Sequence, residues 1–201
     1  MIRVLLAEDK GMVRGALAAL LELEEDIKIV ATVGRGDEVL EAALESRPDV
    51  ALLDIEMPGS SGLEAAQALG EHLPECRIVI LTTFGRVGYL RRAMESGALA
   101  FLLKDAPATD LAVAIRRVMS GERVVDPDLA LTALSEGENP LTPRERDVLA
   151  ASLSGVSIAE IAARLFVTEG TVRNHLSQAI QKLDAQNRFE AARLAQEKGW
   201  L

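Results

Sequence analysis

The sequence predicts a doubly wound α/β domain, (βα)5 with a parallel sheet, followed by a smaller all-α domain of four helices that contains a helix-turn-helix. Three observations carry this expectation. Five short runs rich in Val, Ile and Leu recur through residues 1–120, separated by longer segments with helical spacing. Those runs are nearly continuous in apolar residues, the pattern of parallel strands covered on both faces. Past residue 140 the strand-like runs stop, and helix-capping signals take over.

The first strand is "IRVLLA" (Ile2–Ala7), and the helix after it, Met12–Leu23, sets Leu17, Leu20 and Leu21 on one face. "IKIVATV" (Ile27–Val33) leads to a helix at Glu38–Ser46, and "VALLD" (Val50–Asp54) to one at Gly62–His72. "RIVILTT" (Arg77–Thr83) precedes Val87–Ser96, and "AFLLK" (Ala100–Lys104) precedes Thr109–Ser120. The acidic stretch 121–140, with Gly and Pro at its ends, reads as a linker between domains 1–120 and 141–201. Within it, Asp126 followed by Pro127 reads as the N-cap and first position of a short helix. The last domain is expected to hold helices at Pro143–Leu153, Ile158–Leu165, Glu169–Leu183 and Arg188–Lys198. "TPRE" and "SIAE" are capping boxes before the first two, and Asn187 with Glu190 is a weaker variant before the fourth.

Composition sets the class. Of 201 residues, 49% are apolar and 26% charged, as in ordinary soluble proteins. No apolar segment approaches the roughly 18–20 residues of a membrane span, so no membrane insertion is expected. "MIRVLLAED" meets acids too soon for a signal peptide. Cys76 is the only cysteine, which excludes an internal disulfide, and a cytoplasmic location is expected. The net charge of −9 divides into −6 over residues 1–120, −4 over 121–140 and +1 over 141–201. Charge by itself therefore makes no case for a nucleic-acid partner.

Ligands of an open parallel sheet bind at the carboxyl ends of its strands. Those ends carry Glu8 and Asp9, then Asp54, then Thr82 and Thr83, then Lys104. Three converging carboxylates repel one another, and a hard divalent cation such as Mg²⁺ relieves that. A carboxylate can also attack phosphorus to form an aspartyl-phosphate, whose oxygens an ammonium and a hydroxyl can stabilise. At the sheet's rim Asp54 need not be buried, so its charge need not be costly.

These residues resemble the receiver domain of bacterial response regulators over the whole of 1–120. The shared pieces are Glu8–Asp9, "LLDIEMPGSSG", "ILTTF" and "FLLKD", with 28 residues from Asp54 to Thr82 and 22 from Thr82 to Lys104. The resemblance implies that Asp54 is the phosphoacceptor, and that Glu8, Asp9, Asp54 and the backbone carbonyl of Glu56 bind Mg²⁺. It implies that Thr82 and Lys104 contact the phosphoryl group and that Phe101 is the switch aromatic. Thr83 stands where a small residue is common, and Phe101 where Tyr is more frequent. Thr83, Glu56 and Phe84 are expected to line the approach to Asp54.

In the C-terminal part, "SIAEIAARLFVTEGTVRNHLSQAIQKL" has the layout of a helix-turn-helix. Its first helix is expected to bury Ile158, Ile161, Ala162 and Leu165, and its second a stripe of Val172, Leu176, Ile180 and Leu183. The opposite face holds Thr171, Arg173, Asn174, Ser177, Gln178 and Gln181, and no acid occurs from Thr171 to Leu183. Arg and Asn can pair bidentately with base edges, Arg with guanine and Asn with adenine. Together with "LTPRERDVL" and "NRFEAARLA", the segment resembles the LuxR-type DNA-binding domain, which places the chain as similar to the NarL/FixJ response regulators. The resemblance implies base contacts by Arg173, Asn174 and Ser177, and phosphate contacts by Thr168, Thr171, His175 and Lys182. It also implies a sensor histidine kinase, a double-stranded DNA operator, a homodimer formed on phosphorylation and, for an activator, RNA polymerase. "DIEMPGSSGLEAA" and "ILTTFGRVGYLRRA" are similar to a narrower subgroup, which controls a membrane-lipid desaturase through a membrane-thickness-sensing kinase. Beyond assisting its own phosphorylation and dephosphorylation, the chain is not expected to be an enzyme. The rivals are a phosphohydrolase with an aspartate nucleophile, which Asp54-x-Glu56 loosely resembles, and a receiver that binds DNA without phosphorylation.

Overall fold

The computed structural model of the chain describes residues 1–83, 85, 87–127, 129–131 and 139–201. Phe84, one of the residues expected near Asp54, lies outside them. The chain divides into two compact units, one drawn mainly from residues up to Leu131 and the other carrying the C-terminal helices.

Each apolar run of the first unit forms a strand: β1 (Ile2–Ala7), β2 (Ile27–Val33), β3 (Val50–Asp54), β4 (Arg77–Thr82) and β5 (Ala100–Leu103). The helices between and after them are α1 (Gly11–Leu21), α2 (Val39–Ser46), α3 (Gly62–His72), α4 (Val87–Glu95) and α5 (Ala108–Met119). All pairings are parallel, in the order β2-β1-β3-β4-β5 followed by a sixth strand, with β1 between β2 and β3. That order reverses direction between β1 and β3, which is where a doubly wound sheet leaves a crevice for ligands. The sixth strand, β6 (Val124–Val125), comes from the stretch expected to be linker, and it pairs with β5 at Ala100 and Phe101. Two adjacent β-branched residues beside the open edge of β5 account for it. Asp126 caps the following turn, its Oδ1 accepting the Leu129 N–H at 3.0 Å.

Strand residues alternate between two buried faces. Val4, Leu6, Val50, Leu52, Val79 and Leu81 pack with Leu21 of α1 and with Leu111, Ala112, Ile115 and Val118 of α5. Leu5, Ala51, Leu53, Ile78, Ile80 and Phe101, of opposite parity, are buried as well. Burial on both faces explains why the runs read as continuous rather than alternating.

The turn from β3 into α3 is fixed by a capping box that the sequence reading passed over. Ser61 accepts the Glu64 N–H, and the Glu64 carboxylate accepts the Ser61 N–H at 2.7 Å. Gly62 enters α3 pressed against the end of β3, where a Cβ would lie 1.9 Å from the Asp54 carbonyl oxygen.

In the second unit, α6 (Pro143–Leu153), α7 (Ile158–Arg164), α8 (Glu169–Lys182) and α9 (Arg188–Glu197) surround one core. Val148, Leu149, Ile161, Val172, Leu176 and Ala179 are its centre. The expected stripe is displaced by a residue: Ala179 is fully buried, whereas Ile180 and Leu183 are partly so. Ile158 and Leu165 likewise sit at the core's margin. The alanines Ala179, Ala191, Ala192 and Ala195 let the helices approach closely, which pushes the larger side chains outward.

Gly62→Ala is expected to destabilise the first unit by about 1–3 kcal/mol, because its methyl can be seated only by moving the β3–α3 backbone. Chemical denaturation of the variant against the parent checks this.

Candidate functional site

The carboxyl ends of β1, β3 and β5 bring the expected acidic residues together. Glu8, Asp9 and Asp54 each offer a carboxylate oxygen, all within 4.8 Å of one another. Lys104 reaches across from the end of β5, its Nζ 2.5 Å from Glu8 Oε2 and 2.9 Å from Asp54 Oδ2. Two of the acids are buried: Glu8 is 1% exposed and Asp54 5%, whereas Asp9 faces solvent. The expectation that Asp54 escapes burial is therefore corrected. β3 is covered along its whole length, and its final carboxylate goes in with it, compensated by Lys104.

Burial pushes the Asp54 carboxyl above its ordinary value, and the Lys104 ammonium and the backbone N–H groups of Glu56 and Ile55 offset that only in part. Burial also works against the Lys104 charge, but its bonds to Glu8 and Asp54 outweigh this and raise its pKa. Glu8 is held on every side. Its N–H donates to the Val33 carbonyl at 3.1 Å, and its carbonyl accepts from Arg14 Nη1. Its Oε1 accepts the Lys10 N–H and its Oε2 the Lys104 ammonium. Arg14, in the first turn of α1, was not anticipated, since nothing in its spacing points to a main-chain acceptor six residues back.

Three carboxylates against one ammonium leave an all-oxygen, anionic donor set with one exposed member. Such a set suits a hard divalent cation that keeps part of its water shell. Thr82 is buried at the end of β4, while Thr83, next in the chain, and Glu56, two residues after Asp54, are exposed. Phe101 lies on β5, fully buried and paired in register with Ile80. The Asp54-x-Glu56 motif stands on the third strand and enters no second acidic cluster among the described residues.

The second constellation is on α8. Thr168 is its N-cap, accepting the Thr171 N–H at 3.1 Å, and the two hydroxyls are 2.9 Å apart. Arg173, Asn174 and Ser177 are exposed along one side, and Thr171 is half-buried. Arg173 Nη2 pairs with Glu169 at 2.7 Å, both side chains largely in solvent. An exposed pair of this kind is worth little, so the guanidinium can leave it. His175 is half-buried, and its Nδ1 is enclosed without a hydrogen-bond partner among the described residues.

Lys182 has a partner within the fold that its spacing did not announce. Its ammonium is committed to Glu145, 2.9 and 2.8 Å from the two carboxylate oxygens, and Glu145 is 1% exposed. Glu145 also accepts the Thr142 N–H at 2.7 Å in its capping box. The pair ties the start of α6 to the last turn of α8. The partners are 37 residues apart, and no local pattern announces their pairing.

Comparison with known proteins assigns both units to families. Residues 4–116 match the response regulator receiver domain, and residues 139–195 match the bacterial regulatory proteins of the luxR family. Over 201 residues the chain is 46% identical to an uncharacterized transcriptional regulatory protein, YvfU of Bacillus subtilis, each chain covered in full. It is also 46% identical to the transcriptional regulatory protein DesR of the same organism, covering 100% of this chain and 99% of DesR. The crystal structure of ChrA, response regulator of a heme-sensing two-component system, superposes with a TM-score of 0.58 at 32% identity, covering 100% and 98% of the two chains.

Lys182→Met is expected to cost the second unit about 2 kcal/mol, because it leaves the buried Glu145 carboxylate without its cation. The same pair sets an acid limb. Burial opposes the Glu145 charge, but Lys182 and the Thr142 N–H more than compensate, and its pKa falls below the ordinary 4.5. A lowered carboxyl stabilises the fold above its unfolded value, and that stability is lost as pH falls through the folded value. Thermal unfolding between neutral pH and pH ~3 should therefore show a steeper acid loss in the parent than in Glu145→Gln.

Proposed function

This chain belongs to the response regulators with a LuxR-type DNA-binding domain, and we propose that it is a transcription factor switched by phosphorylation of Asp54. The observation that carries the proposal is the Lys104 ammonium seated on both Glu8 and Asp54 at the sheet's switch point. It supports a phosphoryl-transfer site, since a group that pairs with the carboxylate can follow the charge onto a phosphoryl oxygen.

A sensor histidine kinase is the proposed donor. An Asp54 carboxylate oxygen attacks phosphorus, the bond from phosphorus to the donor's nitrogen breaks in line, and an acyl phosphate forms. Glu8, Asp9, Asp54 and the Glu56 carbonyl would hold Mg²⁺. Its chemistry there is neutralisation of phosphoryl oxygens. Lys104 pairs with one phosphoryl oxygen, and the Thr82 hydroxyl, at the neighbouring strand end, with another. The exposed Glu56 and Thr83 govern how water reaches the acyl phosphate, and with it the rate of dephosphorylation. The product adds about −1.5 to −2 charge to an already crowded site. Recruitment of Thr82 and repacking of Phe101 then favour a homodimer, and two DNA-binding domains on one two-fold operator bind more tightly than one. On DNA, Arg173, Asn174 and Ser177 face bases from α8, while Thr168, Thr171 and His175 lie toward the phosphates.

Incubation with Mg²⁺ and acetyl phosphate should phosphorylate the parent and leave Asp54→Asn unlabelled. Incorporation into Asp54→Asn at the parent rate would overturn the assignment. On a duplex selected by the parent, Arg173→Ala should lose about 1–3 kcal/mol of binding and relax the preference at one base pair. Unchanged affinity and preference would remove α8 from the reading head.

A further inference from the structure

Helix ends supply a comparison internal to the chain. Five helices, α4, α5, α7, α8 and α9, close with the same pair of backbone hydrogen bonds. In α4 the Ala98 N–H donates to the Ala93 carbonyl and the Gly97 N–H to that of Met94, at 3.0 and 3.2 Å. In α7 the Val167 N–H donates to Ala162 and the Phe166 N–H to Ala163, at 3.0 and 3.4 Å. This closure requires one residue in the left-handed region. Gly97, Gly121 and Gly199 fill that position after α4, α5 and α9. Asp184, whose short polar side chain tolerates the conformation, fills it after α8. After α7 the position is taken by Phe166, at φ +55°.

The helix end explains the backbone angle but not the ring. Glycine would meet the same need without steric cost, and asparagine at less cost than an aromatic. The ring gains nothing from the core, because Phe166 is 95% exposed, more than any other large apolar side chain among the described residues. In a chain with only four Phe, one Tyr and one Trp, an aromatic is thus spent in solvent at a disfavoured backbone angle. A residue held against its local preference is a reason to look for function.

Its place in the turn says where to look. Phe166 stands two residues ahead of Thr168, the N-cap of α8, and the neighbouring Arg164, Thr168 and Glu169 are exposed and polar or charged. An isolated ring among polar groups is far smaller than the apolar patch a protein partner needs. When the N-terminal turns of a recognition helix enter the major groove, the turn before it meets the sugar-phosphate backbone at the groove's edge. We infer that Phe166 is a DNA-contacting residue, its ring packed on deoxyribose carbons beside the N-terminus of α8. This rests on α8 being the DNA-reading helix. The contact is apolar and sequence-independent, so it adds affinity without releasing counterions and without selecting a base.

The test uses the full-length protein and a fluorescein-labelled duplex enriched by it from a random-sequence pool, with an unrelated duplex alongside, read by anisotropy over a salt series. Phe166→Gly and Phe166→Asn should keep or raise the thermal midpoint and weaken binding to both duplexes by about tenfold, the partial burial of one aromatic side chain. The slope against salt should stay that of the parent, and Phe166→Leu should recover part of the loss. Parent-like affinity in the Gly and Asn variants, with Arg173→Ala weakened, overturns the inference alone. Parent-like affinity in Arg173→Ala as well overturns the reading of α8 on which it rests. A loss confined to the selected duplex, or one matched by a fall in thermal midpoint, also overturns it.

Discussion

One ammonium joins the three strands on which the first unit depends. Lys104 leaves β5 and reaches Glu8 at the end of β1 and Asp54 at the end of β3. Without it the carboxyl rim of the sheet would hold two buried acids and a third at its edge, all within a few ångströms and mutually repelling. The burial of those acids is not optional. β3 lies between β1 and β4, and every one of its residues is covered. A sheet that buries its central strand completely buries the residue at that strand's end. The cation then follows as a structural necessity before it has any part in chemistry. This ordering explains why Lys104 keeps its charge although burial opposes it, and why Asp54 is held above its ordinary pKa with the ammonium beside it.

The sequence made most of this layout legible because its signals were local. Strand ends could be located where apolar runs stop, and a parallel sheet turns strand ends into a single rim. Glu8, Asp9, Asp54 and Lys104 could thus be placed together from the pattern alone. What could not be read was depth. Periodicity says that Asp54 ends a strand, but not how deeply the side chain at that end sits. Arg14 was invisible for a related reason. Its acceptor is a main-chain carbonyl, which no residue type announces. Val124 and Val125 were absorbed into a linker because two residues are too few to show a period, and only the free edge of β5 makes a strand of them.

The second unit repeats the same division. Its capping boxes were plain in the sequence, since a hydroxyl and a carboxylate three residues apart satisfy each other locally. Glu145 nevertheless does more than cap. Fully buried, it also takes the Lys182 ammonium from the far end of α8. Lys182, expected at the phosphates, has a structural part as well, as a strut that fixes where α8 emerges. The consequence reaches the exposed face: a recognition helix can read base edges only if its axis is held to within a fraction of an ångström. The pairing of Glu145 with Lys182 and the alanines packed against α8 supply that rigidity, while Arg173 and Asn174 stay exposed.

The positions that break local rules are then the informative ones. A sequence consistent at every level needs no buried carboxylate at a strand end and no aromatic in a left-handed turn. In the first unit the exception is Asp54, destabilised where it stands and therefore responsive to anything that changes its charge. In the second it is Phe166, which occupies a position that glycine or aspartate fills at four other helix ends. The two exceptions differ in kind. The cost at Asp54 is electrostatic and is reduced by the Lys104 ammonium. The cost at Phe166 is steric and solvational, and only an apolar surface brought to the ring can recover it. On the proposed function, an input that works through charge and an output contact that is indifferent to charge would let phosphorylation set how often the DNA-binding unit engages without altering what its α8 recognises.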